Sequence, residues 1–204
     1  MPTALARLPR LTPAYVGGVQ LGAYAARRWL APAARERLLR RCSTNVDNLL
    51  AGRWDTLLTS ALVVEEPMEL PYALLLLAVL GYAEYAHGAW WAASVFAYGH
   101  VGASLIVYGG LRAARAGERT RSAIDVGLSY GNYAVLGTLA AGLPRGPLRT
   151  GACAALLALC ARPLLSRRAG FTDAGHLTAL ALGLGLGTAR GRGRRREGGP
   201  GSPQ

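Results

Sequence analysis

The chain contains no lysine: all 23 of its basic residues are arginine. Acidic residues are scarce as well, 11 against those 23, which leaves a formal net charge of +12. Together with heavy use of Ala, Gly and Leu, the all-arginine usage points to a GC-rich, bacterial coding sequence. The charge excess is not a nucleic-acid signal. The arginines gather in loops and tails, where lipid head groups or water would meet them, and no nucleic-acid partner is expected. Cysteine is also sparse. Three residues, Cys42, Cys153 and Cys160, make no disulfide framework, and the last two lie two turns apart in an apolar stretch as small packing residues. Cys, His and carboxylates nowhere cluster at ligand spacing, so no metal and no cofactor is expected. A cleavable leader is lacking too. The first apolar run follows Arg7 and Arg10, has no small-residue cleavage site and ends in Arg27 and Arg28. It reads as a first span or signal anchor.

What is present is hydrophobicity in blocks. The chain is 51% hydrophobic, and its apolar residues fall in runs bounded by Arg, Pro or Gly. Runs of about 18 to 20 residues match a bilayer core of about 30 Å. The pattern predicts an all-α, polytopic protein of the cell membrane with one bundle domain over 11–189, between a short tail at 1–10 and a disordered Arg/Gly-rich tail at 190–204. Six spans are placed, at Leu11 to Trp29, Pro71 to Ala86, Ala89 to Leu111, Ser122 to Gly142, Leu148 to Leu165 and Thr172 to Ala189. The long first loop, 32–70, is neither apolar enough to span nor polar enough to be disordered. Ala33 to Arg41 reads as a basic amphipathic helix at an interface. Trp54, Leu57, Leu58, Ala61 and Leu62 give a helix-spaced apolar face that folds onto the bundle or lies in the membrane interface. Orientation is contested. An even span count puts both termini on one side, and the tail arginines favour the cytoplasm for it, yet the loops after spans one, three and five hold more arginines.

Two segments carry chemistry. Gly127-Leu128-Ser129-Tyr130-Gly131 holds a serine between glycines, and Gly175-His176 opens the sixth span. Spans four and six have the same parity and so run in the same direction. Ser129 is then about 10 Å deep and His176 about 6 Å, at 1.5 Å per residue. A histidine that reaches a serine hydroxyl takes its proton and makes it a nucleophile. Gly127 and Gly131, with Ala179, Gly183 and Gly187 on one face of span six, form a small-residue seam that lets the helices approach closely. His100 and Ser104 are one turn apart in span three, and His100 reads as an interhelical hydrogen-bonding group or a support of the site. Asp125, one turn before Ser129, reads as an N-terminal cap of span four. His87 reads as interfacial, and Glu84 as a fastener of helix ends.

On these residues the chain resembles the rhomboid intramembrane serine proteases. The Gly-x-Ser and Gly-His-x-x-Ala-x-x-x-Gly patterns of Ser129 and His176 match that family's nucleophile and base motifs. Arg53-Trp54 in the long loop is similar to its Trp-Arg region with the order inverted, and Gly81, Glu84 and Gly88 resemble its pattern at the end of span two. The resemblance implies a six-helix rhomboid-like bundle and a Ser129–His176 dyad, with a transmembrane protein substrate or client and the lipid bilayer as partners. The chain departs from the family at one point. Active rhomboids usually carry a His-x-x-x-Asn pair that stabilises the oxyanion, and the corresponding positions here are Met68 and Tyr72. Losing one such donor typically costs about 2.7–4 kcal/mol. The backbone N–H of Ser129 and the Tyr72 hydroxyl are candidate replacements, with Gly127 and His100 in supporting positions. Three functions therefore stand: an intramembrane serine protease, a weak or inactive rhomboid-like scaffold for membrane clients, and an unrelated transporter or structural bundle.

Overall fold

The computed structural model describes residues 8–167 and 169–197, and every regular element among them is helical. Helix α1 (Leu11–Trp29) leads through the long loop, which folds into α2 (Pro32–Cys42), α3 (Val46–Leu50), α4 (Thr56–Thr59) and a 3₁₀ turn at Ser60–Leu62. Then follow α5 (Leu70–His87), α6 (Ala89–Ala113), the short α7 (Glu118–Arg121), α8 (Ser129–Gly142), α9 (Pro147–Ala161) with a 3₁₀ turn to Leu165, and α10 (Phe171–Glu197). Pro32, Pro71 and Pro147 stand in the first turns of α2, α5 and α9, where the missing N–H costs nothing. Gly88, at φ +92°, ends α5 and turns the chain directly into α6.

Helices α1, α5, α6, α8, α9 and α10 overlap the six expected spans, and three of them qualify by length and composition. The segments Leu70–His87, Ala89–Ala113 and Pro147–Leu165 are long and apolar enough to cross a bilayer. Helix α8 is not: its 14 residues reach only about 21 Å at 1.5 Å per residue. The expected start of span four at Ser122 moves to Ser129, and the chain at 122–128 is not helical. At the other end, the arginine-rich segment expected to lose order at residue 190 stays helical to Glu197. Arginine is a good helix former, and positive charge suits a helix C-terminus. The remainder of that tail, 198–204, lies outside the described residues, as do residues 1–7 of the N-terminal tail.

Two devices hold the bundle. The first is Glu84, buried near the end of α5. Its carboxylate accepts the N–H groups of Arg10, Leu11 and Thr12 at 2.8, 2.9 and 2.7 Å. No side chain of α1 caps its own start, so Glu84 supplies the negative charge the helix N-terminus favours. Farther along, the Gln20 amide both donates to and accepts from the Met68 backbone, at 3.0 and 2.8 Å, and ties α1 to the end of the loop. The second device is the packing of α8 against α10. A Cβ added to Gly183 would lie 2.1 Å from the Ala134 carbonyl oxygen, and one on Gly137 would lie 2.6 Å from that of Leu180. Gly187 is as tight against Thr138, and Ala179 is fully buried. The small-residue seam of α10 is therefore a true interface. Gly131 is different. It admits Phe96 of α6, whose ring a Cβ would meet at 2.4 Å, and it does not face α10.

Gly183→Ala should destabilise the protein by at least the roughly 1–3 kcal/mol of an overpacked core, because the atom it meets is backbone. Gly185→Ala, which adds its Cβ to open space, should change little. Thermal unfolding of the two variants in detergent measures the difference.

Candidate active site

The segment before α8 is the unusual part of the backbone. Unpaired peptide groups inside a membrane protein are costly, and non-helical chain survives there only when protein or water satisfies it. Here the long first loop does so. The Thr44 N–H donates to the Asp125 carbonyl at 3.2 Å, the Asp125 N–H to Ser43 Oγ at 2.8 Å, and the Gly127 N–H to the Ser60 carbonyl at 2.8 Å. The Asn45 amide donates to the Ala123 carbonyl at 3.2 Å. Asp125 is therefore not the cap of α8. Its carboxylate accepts the Tyr108 hydroxyl of α6, and its main chain belongs to the ladder with the loop. Gly127, at φ +141°, takes a conformation that a side chain would strain. With its N–H engaged by Ser60, Gly127 shapes the approach to Ser129 and is not itself a free donor.

Ser129 is the first residue of α8. No side chain caps this helix, and its leading N–H groups find no acceptor among the described residues until Asn132, whose N–H reaches the Leu128 carbonyl at 3.1 Å. The hydroxyl of Ser129 thus stands beside open N–H donors at the positive end of a helix dipole. Ser129 is half-buried. It borders a cavity of about 10 Å³ shared with Ser60, His100, Ser104, Asp125, Val126, Gly127 and Tyr130. That is room for one water.

His176 lies in the second turn of α10, held between two tyrosines of α8. Its ring packs on Tyr133 with centroids 4.7 Å apart and meets Tyr130 edge-on at 5.6 Å. Gly175 makes this possible, since a Cβ there would fall 2.2 Å from the Tyr130 ring. Tyr133 follows Ser129 by four residues and shares its helix face. The imidazole therefore sits over the turn that Ser129 opens. Its Nε2 is buried with no hydrogen-bond partner. No hydrogen bond joins Ser129 to His176 in this resting arrangement.

A second serine–histidine pair is already bonded. Ser60 Oγ lies 3.0 Å from His100 Nε2 and 2.9 Å from Thr44 Oγ1, which in turn lies 2.6 Å from the Thr56 carbonyl. Thr44 has one hydroxyl proton. Every donor is satisfied if Thr44 donates to Thr56, Ser60 to Thr44, and His100 Nε2–H to Ser60. Ser60 and His100 are 1% and 4% exposed, and hydroxyl and ring are engaged with each other within the fold. This pair fastens the loop to α6. The partner is missed because Ser60 sits in a loop, where a serine carries no signal of its own. Tyr72, the sequence-based oxyanion candidate, lies outside the Ser129 cavity, as His176 does. It packs from α5 against the apolar cluster of Met68 and Leu76.

The chain belongs to the rhomboid-like protein family, whose model matches residues 15–195. No curated protein and no solved structure matches it.

Ser60→Ala should lower the unfolding free energy by about 1–3 kcal/mol, the cost of stranding a buried hydrogen-bonding group. It should leave labelling by a serine-reactive fluorophosphonate in place. Loss of labelling in a folded Ser60→Ala protein would move the nucleophile to Ser60.

Proposed function

We propose that this rhomboid-like membrane protein is an intramembrane serine protease that cleaves a transmembrane protein substrate with Ser129 and His176. The observation that carries the reading is the unpartnered Nε2 of His176, buried and fixed by Tyr130 and Tyr133 over the turn that begins at Ser129. A buried nitrogen without a partner is costly in a membrane protein; His100 Nδ1 is another, but the Nε2 of that ring is already engaged by Ser60. Ser129 Oγ attacks the scissile carbonyl carbon as its proton passes to His176 Nε2. The carbonyl electron pair moves onto oxygen. The tetrahedral species then re-forms its carbonyl and expels the amine, which takes the proton from His176. Water, deprotonated by the same histidine, repeats the sequence on the acyl-enzyme and frees Ser129. The missing Ser129–His176 bond is no objection, since such contacts often tighten only in the substrate complex.

A second reading has one observation in its favour. At the positions matching the oxyanion pair of active rhomboids, Met68 is buried in the apolar core and Tyr72 packs beside it. A chain without those donors could bind membrane clients without cutting them.

Purified wild type should label with a fluorophosphonate and cleave a transmembrane substrate in detergent or liposomes. Ser129→Ala and His176→Ala should each reduce both to background. Equal labelling of wild type and Ser129→Ala would end the protease reading. Client co-purification that survives Ser129→Ala, with an inert wild type, would establish the scaffold.

A further inference from the structure

A protease of this kind must hold the oxyanion that forms when Ser129 attacks, and that donor is usually the largest single term in acyl transfer. We infer that the side-chain amide of Asn132 supplies it, together with the open N–H groups at the start of α8. The inference rests on the protease reading above and adds a catalytic residue to it.

Asn132 is only 4% exposed. Its Oδ1 is buried with no partner, and its side chain engages no other described residue through a hydrogen bond, so no bond fixes which way the amide is turned and either end can face Ser129. A carboxamide left unpaired in a membrane interior is costly. Apolar residues of similar size fill the neighbouring positions of α8 at no such cost, so the amide needs a reason to be there. Its position gives one. Asn132 follows Ser129 by three residues, and side chains at that spacing are neighbours on one helix surface, with Cβ atoms about 5–6 Å apart. Helical side chains also lean toward the N-terminus. The amide of Asn132 therefore leans over the turn that carries the Ser129 hydroxyl.

The helix register separates its task from that of the base. Tyr133 and Tyr130, which hold His176, lie on one side of Ser129 around the axis of α8. Asn132 lies on the other, about 60° away at 100° per residue. Its neighbours in that direction, Leu128 and Val135, pack into the cluster with Leu76 and Leu80 of α5. A carbonyl placed over Ser129 with its leaving nitrogen toward His176 turns its oxygen toward Asn132. As Ser129 Oγ bonds to the carbonyl carbon, the π pair moves to that oxygen, and one Nδ2–H of Asn132 donates to it beside the N–H groups of α8. The bond is released when the pair returns to re-form the carbonyl and the amine departs with the proton from His176.

Steady-state cleavage of a transmembrane substrate by wild type, Ser129→Ala, Asn132→Leu and Asn132→Ala tests this, with thermal unfolding of each protein measured in the same detergent. Both Asn132 variants should lose about 100- to 1000-fold in kcat, the usual effect of removing one oxyanion donor, with KM changed by no more than a few-fold. Asn132→Leu should unfold at the same temperature as wild type or higher, because it removes an unpartnered buried amide. An active wild type with either variant within threefold in kcat would overturn the role of Asn132 and leave the Ser129–His176 reading intact. A fall in kcat matched by a fall in unfolding temperature in both variants would assign Asn132 to packing and also overturn it. A wild type as inert as Ser129→Ala would sink the protease reading itself, and this inference with it.

Discussion

The structure depends on how a break in the helical backbone is satisfied. Between α7 and α8 the chain runs inward without regular hydrogen bonding and only then begins the helix that carries Ser129. In a bilayer such a stretch is tolerable only if other protein groups take up its peptide donors and acceptors. The first loop does this with Ser43, Thr44, Asn45 and Ser60, which pair with residues 123–127 through main-chain and side-chain bonds. The loop is thus part of the fold and not an appendage. It is held in turn by the Ser60–His100 bond to α6 and by the Tyr15 hydroxyl, which donates to the Ala61 carbonyl at 2.6 Å. One consequence is chemical. Because α8 starts inside the bundle and not at its edge, its open N–H groups and its dipole are delivered to a buried position. There water competes little, and electrostatic effects are stronger than at a surface.

Much of this was legible in the sequence, and the reasons are physical. The long helices are spelled out by apolar runs with Pro at their starts and Gly or Arg at their ends, and α1 falls where its run predicts. The seam of Ala179, Gly183 and Gly187 was legible because glycine at helical spacing has few uses in a membrane other than close approach. Glu84 was legible as a fastener, since a carboxylate inside an apolar helix needs donors, and it found three. The start of α8 was not legible. Residues Ala123 to Leu128 are as apolar as a span. Their non-helical course is held by bonds to a loop about 80 residues earlier in the chain, a distance at which periodicity carries no information. The same long-range pairing took Asp125 away from the cap position its spacing offered.

Two polar residues escaped the sequence reading for different reasons. Ser60 is an ordinary loop serine until its neighbours are known, and only the fold brings it to His100. Asn132 did carry a signal. It is the one asparagine in a helix otherwise built of small, apolar and aromatic residues, and polarity at that depth asks for a partner or a purpose. It was overshadowed by the more familiar serine three residues before it. In a short apolar helix, a buried polar side chain without a partner is a candidate for chemistry, and α8 has two, Asn132 and the Tyr130 hydroxyl.

The packing that builds the bundle also sets the geometry of the site. Gly175 lets the Tyr130 ring lie against α10, and that ring, with Tyr133, fixes the imidazole of His176. Farther along the same two helices, Gly183 and Gly187 hold the backbones at contact distance. The orientation of the His176 ring relative to Ser129 is therefore not adjustable on its own. Any Cβ that pushes α10 from α8 moves the histidine with it, and interfaces this tight shift between discrete arrangements more readily than they stretch. Loss of stability and loss of reactivity should be separable only at residues that do not belong to the seam. Asn132 is such a residue: it lies on the side of α8 turned away from α10, and it can be exchanged without disturbing what holds Ser129 and His176 in register.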